Sequence, residues 1–189
     1  MHNISVVVVE DDARLRSTMQ RVLAAASGCR LVGVYSTAAD AIQAIPALRP
    51  DVILMDVNLP DRSGVDCVAT LAPLLPDTQI LMVTAYQDPE TTFQAITAGA
   101  HGYLVKPVMP SRLVEAIREV REGGVPMSRT IARKVIEAFR DLHDGRREPR
   151  RQIAARTASA DREEQPDEPL LAPRERQVLE LLVEGYSYK

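Results

Sequence analysis

Short apolar runs rich in Val, Ile and Leu recur between Ile4 and Gly123, at Ile4–Val9, Leu31–Tyr35, Val52–Met55, Ile80–Val83 and Tyr103–Val105. Runs that are apolar throughout, rather than alternating, suit parallel strands covered by helices on both faces. Between the runs the period changes. Leu15, Met19, Val22 and Leu23 recur at i, i+4, i+7 and i+8, and Leu113, Ala116, Ile117 and Val120 repeat the pattern before Gly123 and Gly124. Each set predicts one apolar helix face. Five strand–helix alternations predict an open, doubly wound α/β domain over residues 1–123.

Beyond that domain, Ile131, Val135, Ala138, Phe139 and Leu142 predict an amphipathic helix from roughly 128 to 143, inside a linker at 124–143. The helix must bury its stripe on the domain, on a later element or on another copy. A second copy or the tail helix is the expected partner, which makes this a candidate dimerisation helix. Residues 144–169 read differently: thirteen of these 26 are charged and Ile153 is the one large aliphatic. Such a segment buries too little to offset its ordering entropy, so a flexible charged linker is expected. In segment 170–189 a last helix is expected from Pro173, with Val178, Leu179, Leu181 and Leu182 on one face and Gly185 as its stop.

Composition narrows the picture modestly. The net charge of −3 supplies no general attraction to nucleic acid or to an anionic membrane, so any DNA contact needs a local element. Cys29 and Cys67 lack metal-type spacing and are expected as plain buried thiols. No stretch reaches the ~20 apolar residues of a membrane span, and the start lacks a basic signal-peptide region. A cytoplasmic protein with no membrane partner is expected.

Chemistry gathers at the carboxyl ends of the expected strands. Asp11 and Asp12 follow the first run, Asp56 the third, Thr84 the fourth and Lys106 the fifth. Taken singly, these are a helix cap, a turn acid, a strand threonine and a solvated lysine. In open parallel sheets, however, the carboxyl edge is where ligands bind, at the topological switch point. With strand order 2-1-3-4-5, Asp11, Asp12 and Asp56 converge, and three carboxylates repel unless they share a cation. A hard ion taking few protein ligands and several waters fits, namely Mg2+. An aspartate can then act as a nucleophile toward a phosphoryl group, with Lys106 neutralising charge and Thr84 donating a hydrogen bond.

Glu10-Asp11-Asp12, Met55-Asp56-Val57-Asn58-Leu59-Pro60 with Ser63-Gly64, Val83-Thr84-Ala85 and Gly102-Tyr103-Leu104-Val105-Lys106-Pro107 resemble the receiver domains of bacterial response regulators, over about residues 4–122. The resemblance implies a flavodoxin-like (βα)5 fold and a sensor histidine kinase as phosphoryl donor. It implies Asp56 as phosphoacceptor, Mg2+ held by Asp11, Asp12, Asp56 and the backbone carbonyl of Asn58, and phosphoryl contacts from Thr84 and Lys106. Tyr103 matches an aromatic switch that turns inward when Thr84 moves, and it reads equally well as a strand aromatic packed on the fourth helix. The family often has a cis bond before the proline after its lysine, here Pro107.

The tail, from Leu171-Ala172-Pro173-Arg174-Glu175-Arg176 to Gly185-Tyr186-Ser187-Tyr188-Lys189, is similar to the opening of LuxR-type (NarL/FixJ) helix-turn-helix domains. Ala172 stands where threonine is usual, and the recognition helix is expected to be missing, a truncated output. The implied function is a phosphorylation-gated transcription regulator that dimerises on phosphorylation and binds DNA in its full-length form, with no specific DNA binding by this chain. Beyond phosphorylating and slowly dephosphorylating itself, it is not expected to be an enzyme. Competing readings are an aspartyl-phosphate phosphatase, a stand-alone phosphate sink and a flavin module. Asn58, where haloacid-type phosphatases place a second acid, weighs against the first. The acidic loop after strand one weighs against the last. His2, His101 and His143 lack the helical context of a phosphoacceptor histidine.

Overall fold

The apolar runs become strands because successive side chains leave a strand on opposite faces, and both faces here meet helices. A computed structural model describes residues 3–128 and 130–136. Strands β1 (Ile4–Val9), β2 (Cys29–Tyr35), β3 (Val52–Met55), β4 (Gln79–Thr84) and β5 (Gly102–Val105) alternate with helices α1 (Ala13–Ala25), α2 (Ala38–Leu48), α3 (Gly64–Leu71), α4 (Pro89–Ala98) and α5 (Pro110–Arg121). The sheet order is β2-β1-β3-β4-β5 and every pairing is parallel, as expected.

Alternation splits the core into two layers. Val7, Val9, Ile53, Met55, Ile80 and Met82 pack with Ala41 and Ile45 of α2, Val68 and Leu71 of α3, and Ile96 of α4. Val6, Val8, Val52, Leu54, Leu81 and Val83 pack with Met19 and Leu23 of α1 and Ile117 and Val120 of α5. Four helices open on a side-chain cap: Asp12 for α1, Thr37 for α2, Ser63 for α3 and Asp88 for α4. Each cap satisfies an N–H that the first helical turn leaves unpaired. All four stand in loops at the carboxyl edge of the sheet, where the candidate residues lie.

The segment after α5 returns to the sheet. Tyr103 N–H donates to the Pro126 carbonyl at 2.9 Å, and Met127 pairs with Tyr103 as a parallel bridge. Residues 130–136 are helical, and Ile131, Ala132 and Val135 are buried in the α2–α3–α4 layer of the core. This corrects the expected partner of that stripe. For these residues it is the domain itself, because β5 and α4 leave an apolar edge within reach of a chain turning back at Gly123. Phe139 and Leu142, the charged linker at 144–169 and the tail helix lie outside the described residues. Among the described residues, no helix is long and apolar enough to cross a membrane.

Cys29 and Cys67 are both free and buried. Burial pushes the Cys67 thiol from its ordinary 9.0 up to about 12. The folded chain keeps this proton where an unfolded thiol has lost it. The stability it contributes is therefore intact below pH 9.0 and lost as pH climbs toward 12. Cys67→Ala should lose less stability than the parent in urea unfolding midpoints measured across that alkaline window; parallel losses would contradict the sheltered thiol.

Candidate functional site

The ends of β1, β3, β4 and β5 form one crevice of about 560 Å³, lined by Glu10, Asp11, Asp12, Asp56, Asn58, Thr84 and Lys106 among others. Parallel pairing brings them together. Val9 lies beside Met55 in the register, and Met55 beside Met82, so the residues that follow leave the sheet side by side. Asp56 N–H is held by the Val9 carbonyl at 3.0 Å, and Lys106 N–H by the Thr84 carbonyl at 2.8 Å. The Lys106–Pro107 peptide is cis.

Lys106 Nζ donates to Glu10 Oε2 at 2.7 Å and to Asp56 Oδ2 at 2.8 Å. Glu10 and Asp56 are both buried, and their other oxygens, Glu10 Oε1 and Asp56 Oδ1, have no hydrogen-bond partner among the described residues. Burial raises the Glu10 carboxyl above its usual range, against the pull of the Lys106 ammonium. Burial works against the charge of Lys106, but the bonds to Asp56 and Glu10 outweigh it and leave the ammonium above its ordinary value. A buried, unpaired carboxylate oxygen is costly to leave unsatisfied, so the arrangement is short of positive charge.

Glu10, Asp11 and Asp56 each present a carboxylate oxygen, and these atoms lie within 4.8 Å of one another, close enough to share a metal ion. Asp12 takes a different position from the one expected of it. Its Oδ1 accepts from the N–H groups of Arg14 and Leu15 at 2.8 Å each, and those backbone bonds hold its carboxyl below the usual range. The acidic set is thus Glu10, Asp11 and Asp56 rather than Asp11, Asp12 and Asp56, because the residue adjoining the helix is used as its cap. The signal was present: of three consecutive acids before α1, the last is the one suited to capping. Arg16 was missed as well. Its Nη1 donates to the Glu10 and Asp11 carbonyls at 2.8 Å each, fixing the loop that aims both acids.

Two further loops frame the crevice. Asn58 is exposed and pairs with Ser63 across the β3–α3 loop. Asp61 ties that loop to α2 by accepting from Ala38 N–H and Ala39 N–H at 2.8 Å each. On the other side Thr84 is buried, and its Oγ1 accepts from Tyr86 N–H at 3.3 Å. Tyr103 is fully buried, and its hydroxyl donates to the Tyr86 carbonyl at 3.1 Å. Burial pushes that hydroxyl up to about 12.

The response regulator receiver domain model matches residues 6–118, more than half of the chain. The chain belongs to the response regulator receiver family. The chain is 27% identical over 186 residues to the transcriptional regulatory protein DegU of Brevibacillus brevis, covering 98% of this chain and 77% of that one. It is 35% identical over 120 residues to the DNA-binding transcriptional activator DevR/DosR of Mycobacterium tuberculosis, covering 64% of this chain and 55% of the relative. In structure it is similar to a LuxR-family two-component response regulator from Aurantimonas sp. SI85-9A1, with a TM-score of 0.67, 27% identity and coverage of 72% of this chain and 98% of the other.

Close approach at Gly64 keeps the β3–α3 loop against the crevice. Its N–H donates to the Val57 carbonyl at 2.8 Å, and a Cβ there would overlap the backbone carbonyl of Asp56. Gly64→Ala should cost roughly 1–3 kcal/mol through forced backbone movement. It should also displace Asp56, seen as a lower melting temperature together with slower labelling by acetyl phosphate. A variant matching the parent in both would contradict this packing.

Proposed function

We propose that Asp56 accepts a phosphoryl group from the phosphohistidine of a sensor kinase, and that the modified receiver governs a DNA-binding output in the full-length protein. The observation that carries this reading is the pair of unpartnered buried oxygens on Glu10 and Asp56, bridged by Lys106, in a crevice open to solvent. A carboxylate oxygen of Asp56 attacks phosphorus, the donor's P–N bond breaks, and the electron pair leaves with the imidazole nitrogen, which is left to bind a proton. Lys106 already contacts Asp56 and neutralises charge on the transferred group. Thr84 supplies a hydroxyl donor, and Tyr103 follows as the aromatic part of the switch.

The acidic set suits Mg2+: hard oxygen donors, few in number, on an open face with room for water. Glu10, Asp11 and Asp56 would hold the ion, with the Asn58 carbonyl as an added donor. When bound, Mg2+ supplies the positive charge that the carboxyl groups lack and shields the phosphoryl oxygens. Apart from self-phosphorylation and slow self-dephosphorylation, we assign the chain no enzymatic turnover. A cytoplasmic location, and dimerisation of the phosphorylated full-length form on DNA, complete the proposal. Specific promoter binding needs a recognition helix that supplies base contacts.

Asp56→Asn should abolish labelling by acetyl phosphate, and a chelator should do the same to the parent; stoichiometric labelling of the variant would place the acceptor elsewhere. Glu10→Gln should weaken Mg2+ binding roughly 10- to 100-fold, measured by titration of the apo protein. Asp12→Ala should leave Mg2+ affinity nearly unchanged and lower the melting temperature, since it removes a cap. The reverse pattern would restore Asp12 as the ligand.

A further inference from the structure

Between β3 and α3 the chain forms a loop whose root is fixed and whose tip projects into solvent. At the root, Asp56 N–H is held by the Val9 carbonyl and Gly64 N–H by the Val57 carbonyl, while Val57 and Leu59 are buried in the core. An antiparallel bridge from Asn58 to Ser63 joins the two arms. Beyond that bridge Pro60, Asp61 and Arg62 are exposed. Asp61 reaches out of the loop: its Oδ1 accepts from Ala38 N–H and its Oδ2 from Ala39 N–H, at 2.8 Å each. Both donors belong to the first turn of α2, where the helix itself offers them no partner. The cap of that helix, Thr37, takes the Asp40 N–H at a longer 3.2 Å. Two charge-assisted bonds to one carboxylate fix direction as well as distance. The tip of the loop is therefore oriented by a different element.

We propose that Asp61 is a positioning residue for the cation site: it sets where the Asn58 carbonyl stands relative to Asp56, without itself touching the ion. The inference rests on Mg2+ binding in the crevice as proposed above. Asn58 lies two residues after Asp56 and three before Asp61, so it is bracketed by one anchor inside the crevice and another on α2. Its bridge to Ser63 joins two arms of the same loop, and so closes the loop without setting its tilt. The tie to α2 sets the tilt. Without it the tip swings about the bridge, and the Asn58 carbonyl swings with it. Mg2+ is a demanding probe of such a change, because it requires near-ideal octahedral geometry. Groups that orient a metal ligand typically change affinity 10- to 100-fold when they are removed. Asp61 acts through a backbone loop rather than directly on a ligand atom, which places its effect at the low end of that range.

The test is a Mg2+ titration of the 189-residue chain, followed through the amide chemical shifts of Asp56 and Asn58, with melting temperature measured beside it. Asp61→Ala should weaken Mg2+ binding roughly tenfold. Thr37→Ala and Asp40→Ala disturb the same helix start, and the second also removes a charge, but the bonds they delete do not involve the loop. Both should lower the melting temperature and keep the parent's Mg2+ affinity. Asp61→Asn, which keeps one acceptor, should lose less affinity than Asp61→Ala. Parent affinity in Asp61→Ala would overturn the positioning role and leave the cation site standing. Equal weakening in Thr37→Ala would trace the effect to helix stability, and equal weakening in Asp40→Ala or Asp61→Asn would trace it to charge; each of these also overturns the role. A parent chain that binds no Mg2+ would overturn the cation site, and the inference with it.

Discussion

The ammonium of Lys106 lies between the carboxyl groups of Glu10 and Asp56, at 2.7 and 2.8 Å, and three strands must end at matched heights for that to happen. A charged group so enclosed persists only if its partners are held in place. The holding is done by backbone: the Val9 carbonyl on Asp56, the Thr84 carbonyl on Lys106, and Arg16 on the carbonyls of Glu10 and Asp11. Even so, one ammonium bridges two members of a cluster of three carboxyl groups, and two buried oxygens are without a partner among the described residues. That deficit of positive charge is what makes the crevice receptive to a cation.

The rest of the fold serves this edge. Each parallel crossover through a helix returns the chain to the same end of the sheet, so every βα loop emerges at one edge, and those after β1, β3, β4 and β5 line the crevice. Helix caps at Asp12, Thr37, Ser63 and Asp88 turn those loops sharply and keep them short. Asp61 links the β3–α3 loop to the start of α2, and so couples the loop that carries Asn58 to a helix two strands away.

On the opposite flank, β5 is an edge strand, and exposed strand edges invite unwanted pairing. The chain's own Pro126 and Met127 cover it, followed by the helical residues 130–136. Gly102, lacking a Cβ, leaves room for the Pro126 ring to approach the strand closely. The segment after α5 thus both covers this edge and, through Lys134 Nζ on the Gln87 carbonyl, contacts the loop that follows β4.

The periodicities were legible in the residues. Runs apolar at nearly every position form parallel strands because two helical layers receive alternate side chains, and the spacing of Leu113, Ala116, Ile117 and Val120 gives α5 its buried face. The identities at strand ends were legible too, since Asp56, Thr84 and Lys106 have few reasons to recur at one edge. Two assignments needed three dimensions. Which two of Glu10, Asp11 and Asp12 bring a carboxylate oxygen together with that of Asp56 depends on where β1 stops and α1 starts, and a shift of one residue turns a carboxyl group from that cluster to a cap. What covers the stripe of Ile131 and Val135 depends on whether a chain leaving α5 can reach β5 and α4. Local sequence sets the period of an element, but its partners are set by distances that only the packed sheet establishes.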